Sequence, residues 1–498
     1  MFPGLALVVT LLFAANTAAH PQPLGYTAKN VPASIQTSSD FPALEIPYNI
    51  RLSYTPAAIV IPENNQHVSD AVICAAQNKI KVQAKSGGHS YASFSSGGQN
   101  GSLIVDLAKF QDVSVMEGAG IAQIGGGIRL GNLDIALFQQ GKRAMSHGTC
   151  PGIGIGGHIT HGGYGYTSRN WGIALDSVIG AKVVLANGSV AVLSVAEHNE
   201  YLDLFWAIRG AADSFGIVTT FYTITYEAPD SIVNFAIIFG DMFSNKDRFV
   251  EAFMHLQDVA QNASVIDSKT SFGMKVNGFN FTVNGQYFGS AATFNSTILP
   301  ELIRGFPKPI SVDIREMDWL QSQEFWNGDQ IEQARERTDY KTHKNFFANS
   351  LTVPEKTPLT AEAWGAFFDH IRSQGLNTPF RWFSIINLYG GPGSHINDKT
   401  THFAAYKARD SLWVFQNYGL STPKGPVSIP FVKGLGESIM TAMPDVKFGA
   451  YLNYVDPTLS ADEAHELYYG PELTDKLQKL KAKYDPQNVF WNPQAFTA

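Results

Sequence analysis

The sequence predicts an α+β protein in two domains, and three observations carry that expectation. A strand–helix–strand pattern between Ala58 and Lys85 ends in a glycine turn. From about Ser231 the pattern changes to strands, a helix and an Asn-Gly hairpin signal, which reads as an α+β pattern with antiparallel pairing. The chain has 498 residues with 44% hydrophobic content, enough for two or three large cores.

The first twenty residues, "MFPGLALVVTLLFAANTAAH", read as a secretory signal. The apolar run from Leu5 to Ala15 is too short to cross a bilayer, and Thr17-Ala18-Ala19 suits cleavage. No Lys or Arg precedes that run, so the charged leader region is weak. Residues 1–19 are expected to be removed and the protein secreted. No later segment offers eighteen uninterrupted apolar residues, so no membrane partner is expected.

His20 to Pro47, rich in Pro, Ser and Thr, is predicted to be irregular. Ala58 to Ile61 is a short strand ended by Pro62. Val68, Ala71, Val72 and Ala75 recur at helical spacing; Cys74, beside that stripe, is expected as a small buried core residue. "KVQAK" (Lys81–Lys85) alternates as a strand, and "SGGHS" (Ser86–Ser90) follows as a loop. Strands are predicted near Leu103–Leu107 and Ala122–Gly125. A helix from Arg129 to Gln140 carries Leu130, Leu133 and Leu137 on one face, with Gly141 as its C-cap. "VIGAKVVLANGSVAVLS" reads as two strands around an Asn187-Gly188 turn. Beyond Ser231, "SIVNFAIIFG" and "RWFSIINLYGG" (Arg381–Gly391) read as strands. Val250, Phe253, Met254 and Leu256 suggest a helix, and "FTVNGQYFG" a second Asn-Gly hairpin. Leu473, Leu477, Leu480 and Tyr484 mark an amphipathic helix before "DPQNVFWNPQAF".

A net charge of -7 without a long basic run argues against a nucleic-acid partner. Sequons at Asn100, Asn187, Asn262, Asn280 and Asn295, read with the signal, are expected glycosylation sites. Export favours pairing of the two cysteines, Cys74 and Cys150, whereas burial of Cys74 within a helix counts against it. Cys150 lies in "SHGTCPGIGIGGHITHGGYGY" (Ser146–Tyr166). There Gly152-x-Gly154-x-x-Gly157 matches the dinucleotide fingerprint letter for letter. That fingerprint requires a preceding buried strand and a following helix, and the flanking residues read as neither. Closely spaced glycines also let backbone N–H groups approach a phosphate or a ring. His147, His158 and His161 lack the ordered spacing of a rigid zinc cage, so no metal is expected.

Four segments in order, "KSGGHSYASFSSGG", "SHGTCPGIGIGGHITHGGYGY", "DLFWAIRGAADSFGIVTTF" and "YLNYVDPTL" through "YDPQNVF", closely resemble the berberine-bridge-type flavoprotein oxidases. Within that family the chain looks most like fungal gluco-, chito- and xylooligosaccharide oxidases, from about Tyr48 to its end. The resemblance implies a two-domain vanillyl-alcohol-oxidase-like fold. It divides the chain into a first part of the FAD-binding domain (48–229), an antiparallel-sheet substrate domain (230–440) and a C-terminal part returning to the FAD-binding domain (441–498).

The resemblance also implies a bicovalent FAD. His89 matches the histidine bonded to the flavin 8α carbon and Cys150 the cysteine bonded to C6. Ser86, Gly87, Gly88, Ser90, Gly148, Gly152, Gly156, Gly157, His158, Gly163, Gly216, Val218 and Asn453 match cofactor-binding positions. Tyr454 matches the catalytic tyrosine base. Asn387 stands where glucose-type members carry an aspartate; an amide can hydrogen-bond a phenolate without adding a second negative charge. Tyr91, Thr149, Phe383 and Gln416 match substrate contacts, Phe383 in place of a tryptophan. Lys275 falls where relatives vary a substrate-facing side chain, and equally suits a solvated surface lysine.

The expected reaction is oxidation of the reducing-end C1 hydroxyl of an oligosaccharide to the lactone. Tyr454 takes the hydroxyl proton, C1 delivers hydride to flavin N5, and oxygen reoxidises the flavin to give hydrogen peroxide. Xylo-oligosaccharides come first on overall likeness, with cello-, malto- and chito-oligosaccharides beside them. The expected partners are the sugar and oxygen, and the expected state is a monomer. The rival readings are an alcohol or alkaloid oxidase of the same fold, a secreted glycoside hydrolase with a Cys74–Cys150 disulfide, and a non-catalytic relative without flavin.

Overall fold

A computed structural model describes residues 31–196, 199–328, 330–333, 343–422 and 425–498. The expected signal at 1–19 lies outside the described residues.

The lead-in is more regular than its composition suggests. Within it, β1 (Ala33–Ile35) pairs antiparallel with β2 (Ala58–Val60), and α1 (Phe41–Glu45) buries Phe41 and Leu44. Next come α2 (Asn65–Gln77), β3 (Val82–Lys85) and β4 (Leu103–Asp106). The sheet order is β1-β2-β4-β3, with β2, β4 and β3 parallel and α2 as the crossover. Asn64 caps α2 by accepting the His67 N–H, and Val68, Ala71, Val72 and Ala75 face the core as expected. Cys74 does not. It lies about 100° round the helix from that stripe and is exposed.

Five strands form a second, antiparallel sheet: β5 (Val113–Met116), β6 (Ile121–Gly125), β8 (Val178–Val184), β9 (Val190–Ser194) and β10 (Ile217–Ile224), in the order β5-β6-β10-β8-β9. The Asn187-Gly188 turn joins β8 to β9 as predicted, with Gly188 at a positive φ of 80°. Between β6 and β10 lie α3 (Leu130–Gln139), the two-residue β7 (Arg143–Ala144), α4 (Ile155–Thr160), α5 (Ser168–Trp171) and α6 (Leu202–Ala211). A helix therefore does follow the apparent dinucleotide fingerprint, contrary to expectation. It has 6 residues, and no long buried strand leads into it.

After the short β11 (Tyr226–Glu227), the chain builds a seven-stranded antiparallel sheet, ordered β15-β12-β14-β13-β17-β18-β16. Its elements are β12 (Ile232–Phe239), α7 (Lys246–Ala260), β13 (Thr270–Asn277), β14 (Phe281–Tyr287), β15 (Ser311–Met317), α8 (Trp319–Asn327), β16 (Asn345–Pro354), α9 (Ala361–His370), β17 (Arg381–Leu388), β18 (Ser411–Ser421) and α10 (Ile429–Ala442). The predicted Asn-Gly hairpin is corrected here. Asn284 and Gly285 sit inside β14, and the turn is made by 278–280, where the Asn277 side chain accepts the N–H groups of Phe279 and Asn280. Gly285 is small for packing: a Cβ there would lie 2.8 Å from the Phe235 ring.

Alternation gives this sheet two unlike faces. Phe235, Ile237, Phe272, Met274, Ile386 and Phe415 point into a large core covered by α7, α9 and α10. The opposite face carries Asn387, Ile385 and Gln416 and looks onto a cavity.

The chain ends with α11 (Ala461–Tyr468) and α12 (Gly470–Tyr484), which pack Leu473, Leu477 and Leu480 into the core of the antiparallel five-stranded unit. Two buried arginines tie the halves together. Arg169, from α5, donates to the carbonyls of Asp267, Thr270, Gly390 and Pro392, all in the second half. Arg409 grips Asp176 bidentately at 2.6 and 2.9 Å.

Candidate active site

The chain leaves β3 at Lys85 and turns through Ser86–Ser90, meeting the loop that enters α4. The contact is backbone on backbone. A Cβ on Gly87 would lie 2.1 Å from the Gly154 nitrogen, so only glycine permits it. Ser86 pins the junction by donating to the Gly126 carbonyl at 2.6 Å and accepting the Gly156 N–H at 3.1 Å.

This junction sets two groups side by side. Cys150 Sγ lies 3.8 Å from His89 Nε2. The His89 ring stacks on Tyr48 at 3.7 Å, tilted by 22°. Burial, aided by the nearby Lys344 charge, pulls the His89 pKa down to about 3, so the imidazole is neutral. Burial raises the Cys150 thiol pKa, against N–H groups of Gly152 and Ile153 and the charges of Lys344 and Arg129.

The three histidines of the glycine-rich stretch have separate partners. His147 Nε2 meets Asp134 at 2.9 Å, and Trp319 donates to the same carboxylate. His158 Nε2 accepts the Gly148 N–H at 2.9 Å, and burial holds it neutral, with its pKa pulled down to about 3. His161 faces Asp213 at 3.5 Å. Among the described residues no cluster of His, Cys, Asp and Glu could hold a metal ion.

The far wall comes from the C-terminal segment and the open face of the seven-stranded sheet. Tyr454 lies parallel to Tyr91 at 5.8 Å and edge-on to Tyr451 at 4.8 Å. Gln416 Nε2 donates to the Tyr91 hydroxyl at 2.7 Å. Asn453 donates to the carbonyls of His158 and His161, which fixes the C-terminal loop to α4. Burial, then neighbouring tyrosines, push the Tyr454 pKa well above its ordinary value. Among the described residues no hydrogen bond joins Asn387 to Tyr454.

These walls enclose a cavity of about 370 Å³. His89, Cys150, Tyr91, Thr149, Asn387, Gln416 and Tyr454 line it, as do Ser86, Gly87, Gly88, Ser90, Gly148, Gly156, Gly157, His158, Gly216, Val218 and Asn453. Three expected site residues do not. Gly152 faces Gln333, Gly163 packs on Ala174 and His158, and Phe383 lies outward, stacked on Tyr418 at 4.7 Å. Lys275 is exposed, its Nζ 5.1 Å from the Phe383 ring centre. Sequence reasoning did not single out Tyr164, Tyr166, Tyr451, Asp213, Ile385 or Phe490, which also line the cavity. Tyr164 and Tyr166 close the glycine-rich stretch, and Asp213, Tyr451 and Phe490 fall within the other segments that carry the resemblance. Both cysteines are free, which overturns a Cys74–Cys150 disulfide. Four sequons (Asn100, Asn187, Asn262, Asn295) are exposed, and Asn280 is half-buried.

A flat cofactor that comes close to backbone fits this site. Gly148, Gly156 and Gly157 line the cavity without side chains, and a Cβ on Gly157 would meet nothing within 4 Å. A neutral imidazole and a thiol face the same space within 3.8 Å of each other.

Comparison with known proteins agrees. Residues 56–194 match the family described as FAD binding domain, and 450–496 match berberine and berberine like. The chitooligosaccharide oxidase of Gibberella zeae is 35% identical over 94% of this chain and 93% of its own length. The solved xylooligosaccharide oxidase from Myceliophthora thermophila C1, in complex with xylobiose, superposes with a TM-score of 0.87. It is 33% identical over 94% of this chain and 97% of that one. The glucooligosaccharide oxidase from Acremonium strictum, whose solved structure concerns the functional roles of its 6-S-cysteinyl, 8α-N1-histidyl FAD, has a TM-score of 0.86. Its identity is 33% over 93% of this chain and 96% of that one. With relatives this similar along nearly its whole length, the chain belongs to the berberine-bridge-type FAD-linked oxidases and shares their vanillyl-alcohol-oxidase-like fold.

Proposed function

We propose that the protein is a secreted carbohydrate oxidase that converts the reducing-end C1 hydroxyl of an oligosaccharide to the lactone, with FAD tethered through both His89 and Cys150. The observation that carries this reading is the His89–Cys150 pair, 3.8 Å apart, lining the same cavity as Tyr454. Bound there, FAD supplies the hydride acceptor, and oxygen takes both electrons and two protons to leave hydrogen peroxide.

The chain's own residues do the rest. His89 and Cys150 would hold the flavin ring through a covalent bond each. Tyr454 takes the C1 hydroxyl proton as the C1 hydrogen leaves with its electron pair. Gln416 holds Tyr91 beside it and leaves its amide oxygen for a sugar hydroxyl. The open sheet face gives a chain-like sugar room to extend past Ile385. On overall likeness we place xylo-oligosaccharides first, ahead of cello-, malto- and chito-oligosaccharides.

Two measurements test this. Acid-precipitated protein should stay yellow, and peroxide should form with at least one of these sugar series. Colour released to the supernatant removes the tethers. Silence with all four series, beside turnover of an aromatic alcohol or alkaloid, removes the sugar.

A further inference from the structure

We infer that the open sheet face beyond the reacting end is built to take an acidic sugar, a hexuronic acid unit next to the reducing end, with Lys275 as the residue that selects it. The inference rests on the carbohydrate-oxidase reading above.

The register places Lys275. Gly273 pairs with Asn387 at the cavity floor, and two residues on Lys275 pairs with Ile385, which in turn pairs with Gln416. Lys275 thus lies about 7 Å along the strands from the reacting end, roughly one sugar ring away. Its Nζ sits over the Phe383 ring, which stacks on Tyr418. On the other side of this aromatic platform Lys344 sits over Tyr48 at 5.6 Å, and Arg381 continues the β17 face beyond Phe383.

Among the described residues, no carboxylate lies within ion-pair distance of Lys275, Lys344 or Arg381. At the far edge of the same face matters differ: Arg315 is neutralised by Asp313 at 2.6 and 2.8 Å. The chain carries a net charge of -7, so three cations around one aromatic platform, with no partner carboxylate among the described residues, run against its overall balance. Lys275 reaches solvent, yet its surroundings strip enough water to lower its pKa with no opposing charge to offset that. Aromatic rings receive a sugar's C–H face, and an ammonium receives a carboxylate. A hexuronic acid presents both.

The test compares cellobiouronic acid with cellobiose, which share the reducing-end glucose and differ only in a carboxylate for a CH₂OH on the next unit. The acid should be preferred by about tenfold in kcat/KM at low salt, and the preference should shrink as salt rises. Lys275→Met should abolish the preference and Lys275→Arg should retain it. The methyl glycosides of both sugars have no free C1 hydroxyl, so their binding is read by calorimetry without any oxidation; the acidic one should bind about tenfold tighter. Equal affinity of the two glycosides, or a preference that survives in Lys275→Met, overturns the inference. A glycoside preference without peroxide from any reducing sugar would instead overturn the oxidase reading alone.

Discussion

Replacing Tyr454 by Phe removes one oxygen atom from the centre of the site, and the structure sets what that should change. The ring's contacts with Tyr91 and Tyr451 are retained. No described residue hydrogen-bonds the Tyr454 hydroxyl, so its loss strands no partner and folding stability should move by less than about 0.5 kcal/mol. Catalysis should suffer instead. A positioned base contributes about 10²–10⁴-fold, or about 3–5 kcal/mol at 1.36 kcal/mol per decade. The assay is reductive bleaching of the flavin in a single turnover, which isolates the chemical step from product release. The pH profile is a second readout. Only the phenolate accepts a proton, and burial raises the Tyr454 pKa, so kcat/KM should climb through neutral pH without reaching a plateau. A Tyr454→Phe variant that keeps more than a tenth of the native reduction rate, with native melting temperature and flavin content, would place the base elsewhere.

Other expectations follow from the same geometry. His89→Ala and Cys150→Ala should each leave a yellow precipitate in acid and oxidise sugar more slowly, while the double variant should release its colour; colour lost from either single variant points to one tether. Gly87→Ala drives a Cβ to 2.1 Å from the Gly154 nitrogen and should cost about 1–3 kcal/mol, seen as a lower melting temperature and a lower flavin-to-protein absorbance ratio. A fully loaded variant of native stability would show that the two loops do not touch. Burial pulls the His147 pKa down, but Asp134 more than offsets it, so the net direction is up. The stability this pair contributes is full below the unfolded histidine pKa of about 6.5 and is lost as pH rises through the folded value. His147→Gln should therefore flatten the alkaline fall in melting temperature, and an unchanged slope would exclude the pair as its cause.

Much of the framework was legible because short-range rules decide it. The Val68–Val72–Ala75 stripe, the Asn187-Gly188 turn and the Leu473–Leu477–Leu480 face are each settled within a dozen residues. The site is different. His89 and Cys150 stand 61 positions apart, and no spacing rule joins them; only resemblance to a family did so. The tyrosine wall draws Tyr91, Tyr164, Tyr451 and Tyr454 from three separate segments without periodicity. Where local rules failed, a competing local fact had won. Asn277 supplied the turn that Asn284-Gly285 was expected to make, and Gly285 was needed to admit Phe235. Cys74 sat one helical step beyond the buried stripe, where a propensity for burial has no say.

The two buried arginines have a consequence for how substrate comes and goes. Arg169 spends its guanidinium on four carbonyls of the other half, and Arg409 is locked onto Asp176. Swinging the halves apart would strand those charges at several kcal/mol each. The protein is thus a fixed jaw rather than a hinged one. For the substrate proposed above, exchange would then run along the exposed strands, governed by how firmly each ring grips that surface and not by a gate that opens and shuts.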